Sequence, residues 1–129
     1  MDTNIEIKQV NPMDEEVLEE WVRVTDDKHI LGVCATRTKN SNWPWRVFIS
    51  IAEYIRTEPL QSELQAAITN ALNTIIGVTE ARQEDREVWV VQGNVSGRTL
   101  ILASSIALDS LADDTRSAYA NLHKSITPK

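Results

Sequence analysis

Apolar positions recur along the chain in two rhythms, every second residue and every third or fourth, and the switches between them mark out its elements. At the N-terminus "TNIEIKQV" alternates Ile5, Ile7 and, less regularly, Val10 with polar neighbours, which predicts a short edge strand or an extended arm. "NPMDEEVLEEWVRV" then offers Asn11 as an N-cap, Pro12 at a first helical position, acids in a first turn, and Val17, Leu18, Trp21 and Val22 on one stripe. These signals predict a helix over 12–23. The same segment leaves a second option, in which Trp21 to Thr25 pair with the next segment as a hairpin across "DDK".

Two runs rich in β-branched and small apolar residues follow, "HILGVCATR" and "WRVFISIAEYI". Both read as strands, and the second places Val47, Ile49 and Ile51 on one face and Phe48, Ser50, Ala52 and Tyr54 on the other. The loop "TKNSNWP" between them permits antiparallel pairing. "EPLQSELQAAITNALNTIIG" carries the clearest helical stripe, from Leu60 through Leu64, Ile68 and Leu72 to Ile75, opened by Pro59 and closed by Gly77. "VTEARQEDREVWVVQ" predicts a ragged strand, a polar turn around Gln83 to Asp85, and a firmer strand from Glu87 to Gln92.

From Ser96 to about Leu122 the apolar positions Leu100, Ala103, Ala107, Leu108, Leu111, Ala118, Tyr119 and Leu122 return to helical spacing. The β-branched run Thr99 to Ile101 leaves a strand open there, with a helix from Ser104. One long helix with Ser96 as its N-cap is the preferred reading.

Composition narrows the picture. A chain of 129 residues with 42% hydrophobic content suits one domain over 1–129 with an ordinary core. No apolar run is long enough to span a membrane and the start of the chain is acidic, so a soluble cytoplasmic protein is expected. The net charge of −6 argues against nucleic-acid binding. Charge is uneven: residues 2–27 hold nine acids against Lys8 and Arg23, whereas residues 28–58 hold five bases against two acids. A solvated acidic face explains this as well as docking of the N-terminus on the basic strands, and is preferred. The single cysteine, Cys34, sits in an apolar run and reads as a buried, inert thiol.

The order from residue 45 onward is strand, helix, strand, strand, helix, with "IIGV" joining the first helix to the second strand. This layout resembles the ferredoxin-like fold over about 45–123, and its "GV" placement is similar to that of heavy-metal-associated and related small regulatory domains. The resemblance implies an α+β protein, an antiparallel sheet with helices on one face, to which residues 1–44 add an N-terminal helix and an extra strand. Metal-binding members carry a Cys-x-x-Cys pair between the first strand and the first helix. The corresponding "IRTEPL" has no thiol, so metal carriage by that route is excluded, and neither metal nor cofactor is expected. A fourth strand after the last helix is also missing. "HILGVCATR" or a partner chain must then complete the sheet.

Few residues are arranged for chemistry. His29 and His123 lack a second ligand at spacing three or four, and the acid pairs Glu84–Asp85 and Asp113–Asp114 read as solvated surface. "GNVSG" departs from both the nucleophile-elbow and P-loop patterns, leaving a glycine-containing turn into a helix whose free N–H groups suit an anion, or which Ser96 simply caps. The candidate ligand residues are Arg46, Arg56, Gly93, Ser96, Gly97 and Arg98. "NWPWR" supplies the candidate interface, Trp43, Trp45 and Arg46, with capping of the core by either indole as the alternative. The leading expectation is a non-enzymatic interaction or regulatory module, a homodimer or part of a complex, meeting its partner through a sheet edge and the Trp43 to Arg46 loop. A small enzyme or binder of an anionic ligand, contacted by Arg46, Arg56, Arg98 or His29, is the alternative. An acidic inhibitor-type protein is the third.

Overall fold

A computed structural model describes residues 5–24, 32–39, 43–50 and 60–110. They form strands β1 (Glu6–Val10), β2 (Val17–Val24), β3 (Val33–Thr38) and β4 (Trp45–Ile49), helix α1 (Leu60–Asn73), and strands β5 (Val78–Asp85) and β6 (Val88–Gly93). A second helix, α2, occupies 97–110. The molecule is thus α+β, with a six-stranded antiparallel sheet ordered β1-β2-β3-β4-β6-β5.

The expected helix over 12–23 is a turn and a strand. Glu16 N donates to Asp14 Oδ1 at 2.9 Å and Val17 N to Asp14 O at 3.1 Å, so the acids that resembled a first helical turn close a tight bend. Strand β2 then pairs on both sides. Its alternation is disguised because the inward positions include Glu19 and Arg23, whose charges are met by residues distant in sequence. Arg37 Nε donates to Glu19 Oε2 at 3.0 Å, and the Arg23 guanidinium grips both carboxylate oxygens of Asp109 on α2 at 2.9 and 2.8 Å. The hairpin option across "DDK" agrees with the pairing of β2 and β3. Strand β3 also lies beside β4, so the place that lacked a strand is filled from within the chain.

Both helices cover one face. Inward positions Val33, Ala35, Trp45, Val47, Ile49, Ala81, Trp89 and Val91 form one cluster with Leu64, Ile68 and Leu72 of α1 and Leu100, Ile101 and Leu108 of α2. The three α1 residues are fully buried. Each contributes roughly 1.5–3 kcal/mol in the transfer picture.

Polar contacts fix the helix against the sheet. Trp89 Nε1 donates to Thr69 Oγ1 at 2.9 Å. The Asn73 amide accepts from Ala81 N at 2.9 Å and donates to Ala81 O at 2.8 Å, copying a strand's pairing on the outer side of edge strand β5. That edge is further interrupted by register shifts at both ends, which makes it a poor template for another strand. The β5–β6 turn lies at residues 86 and 87, slightly later than expected.

Candidate functional site

Among the described residues, Arg46 lies apart from the candidate ligand residues of the corner at 93–98. Arg46 stands on the sheet face away from the helices, where its guanidinium meets Glu84 with Nε to Oε1 at 3.3 Å. Arg98 is exposed on α2, on the covered side. Arg56, His29 and His123, and the pair Asp113–Asp114, lie outside the described residues.

The "GNVSG" corner is built for packing. Gly93 has φ +143°, and a Cβ there would strike the carbonyl oxygen of Gly77, itself at φ +103°. The two backbones cross at the Val78–Gly93 pair. Gly97 is buried at the start of α2, where a Cβ would strike the indoles of Trp21 and Trp45. Ser96 caps the helix: its Oγ accepts from Thr99 N at 3.2 Å and its carbonyl from Leu100 N at 3.2 Å. A recess of about 380 Å³ beside this corner is lined by Glu19, Arg37, Trp45 and the residues 93–96. Glu19 already engages Arg37 there and accepts from Trp21 Nε1 at 2.7 Å. An incoming anion would meet that carboxylate.

The residues of "NWPWR" separate. Pro44 precedes β4 and breaks the alternation, so Trp45 enters the core at 3% exposure while Trp43 stays half-buried beneath Arg82, whose Cζ lies 4.8 Å from the ring centroid. Trp45 is therefore a core residue with little surface to offer. Of the two alternatives, contact patch and core cap, Trp45 takes the second.

The helix-free face carries the feature that sequence reading missed. Strand register aligns Lys8, Val22, Cys34, Phe48, Val88 and Asp85 in one row across all six strands. A neighbouring row contains Val10, Glu20, Thr36, Arg46, Val90 and Arg82. The first has four central positions without charge and a recess of about 400 Å³ lined in part by Val22, Cys34, Phe48 and Val88. Phe48 is 38% exposed. In the second row Val90 is only 2% exposed, between the stems of Arg46 and Arg82. Such rows were invisible in the sequence because each strand contributes one residue, and only the pairing of the strands assembles them.

Cys34 donates to Glu20 Oε2 across 3.5 Å on this face. Partial burial, then the Glu20 charge and hydrogen bond, push its thiol up to about 12. Among the described residues no group of three or more His, Cys, Asp or Glu side chains is placed to share a metal ion, and no helix is long and apolar enough to cross a membrane. No family model, curated protein or solved structure matches the chain.

Proposed function

We propose that this chain is a single-domain, non-enzymatic interaction module of the cytoplasm that binds protein through the helix-free face of its sheet. The observation that carries the reading is the uncharged centre of the row Val22, Cys34, Phe48, Val88, which no described element covers. Apolar side chains aligned across adjacent strands, with charges at the margin, match the anatomy of a contact surface. The contact is thereby moved from the sheet edge, since of the two sources expected for the missing strand, "HILGVCATR" or a partner, it is β3 from the first that lies beside β4. The placing of β6 between β4 and β5, with β3 outside β4, supports a ferredoxin-like unit in which an earlier strand stands in for the fourth.

The test is the native size of the assembly. In an extract of the cells that make it, the chain is expected to elute well above its 14.5 kDa mass. Phe48→Asp is expected to elute as a monomer with an unchanged circular dichroism spectrum, because Phe48 already faces water. Elution of the unaltered chain as a monomer in that extract would overturn the reading.

A further inference from the structure

We infer that the occupant of the helix-free face is a second copy of the chain, stacked sheet on sheet about a two-fold axis parallel to the strands. The inference rests on the reading of this face as a contact surface, and adds the partner and its geometry.

The charge order of the two rows selects this arrangement. The first row runs from Lys8 on β1 through uncharged side chains to Asp85 on β5. The second carries Glu20 on β2, Arg46 on β4 in its ion pair with Glu84, and Arg82 on β5 over the Trp43 ring. A two-fold axis along the strands, between β3 and β4, reverses each row against its copy. Lys8 then faces Asp85 of the partner subunit, Val22 faces Val88 of the partner subunit, and Cys34 faces Phe48 of the partner subunit. Glu20 comes between the two arginines of the opposing row.

An in-plane axis across the strands would set Lys8 on Lys8 of the partner subunit and Asp85 on Asp85 of the partner subunit if it ran along the first row, or, midway between the rows, lay one row on the other. Phe48 would then meet an arginine, and Val22 would meet Glu20. Apolar contact and charge complementarity therefore agree only for the first axis, and such aligned stacking is an ordinary sandwich geometry.

Size fits a modest dimer. Six strands about 4.8 Å apart, each with about five residues, present about 500 Å² per copy, or about 1,000 Å² in total, at the lower limit for a specific interface. A dissociation constant on the order of micromolar is expected. The β5 edge offers less, since Asn73 and the register shifts close it.

The experiment uses two charge reversals at exposed positions, Lys8→Asp and Asp85→Lys, followed by sedimentation of the purified chains. The unaltered chain should dimerise. Either variant alone places like charges together at both symmetric contacts and should associate about tenfold more weakly. Mixing the two restores both pairs, one subunit bearing two acids and the other two lysines, so the mixture should associate as tightly as the unaltered chain. A mixture no tighter than its separate components would overturn the geometry. A purified chain that stays monomeric at all concentrations while its extract still shows a Phe48-dependent assembly would overturn self-pairing and leave the interaction reading standing.

Discussion

Cys34 shows how one side chain takes its chemistry from both its strand and its neighbour. Burial and the Glu20 carboxylate each disfavour the thiolate, so at pH 8 alkylation is expected to run roughly a thousandfold slower than for an unhindered cysteine. Glu20→Gln should speed it without restoring the free rate, since burial is the larger cause. Rates with iodoacetamide across pH 7–10 check both. Because the folded value lies above the ordinary 9.0, the group's contribution to stability is complete below about 9 and is lost as pH rises towards about 12. The apolar neighbours pointed to a buried thiol, and the side chain is only partly buried, on the helix-free face. Its partner was not legible, since Glu20 lies fourteen residues away and meets it only once β2 and β3 pair.

Among the elements, β2 was the hardest to read, and its two inward charges are met by residues distant in sequence. Its four- and three-residue spacing of apolar side chains is genuine, yet it arises from a strand whose two faces both carry apolar residues and whose inward face carries two charges. The helix α1 was legible because its stripe needs no outside partner to make sense, and the corner at Ser96 because capping is local. The Arg23–Asp109 pair tests the account of β2. The Arg23 side chain is 7% exposed and that of Asp109 is 40% exposed, so the two deletions are unequal. Asp109→Ala leaves a buried guanidinium without its carboxylate and should cost about 2–4 kcal/mol. Arg23→Met leaves a carboxylate that water can reach, and should cost about 1–2 kcal/mol less than that. Urea denaturation of both variants gives the order, and equal costs would refute this assignment of burial.

At the scale of the whole molecule, the sheet consists of two stacks that meet along one ladder. Strands β1 to β4 are sequential neighbours and β5 and β6 form a hairpin, so among the described strand ladders only that of β4 and β6 joins the halves, through pairs from Trp45–Val91 to Phe48–Val88. That seam closes a loop of about forty residues, which is the slow kind of contact to make. Folding should therefore wait on the seam, with the outer strands adding afterwards. Val47→Ala, at its centre, is expected to slow refolding in stopped-flow measurements. Ile7→Ala on β1 should chiefly hasten unfolding. The order in which strands emerge from synthesis then matters: a chain released before residue 88 has no β6 to zip the halves together, and exposes on β4 a row of backbone groups open to any passing strand.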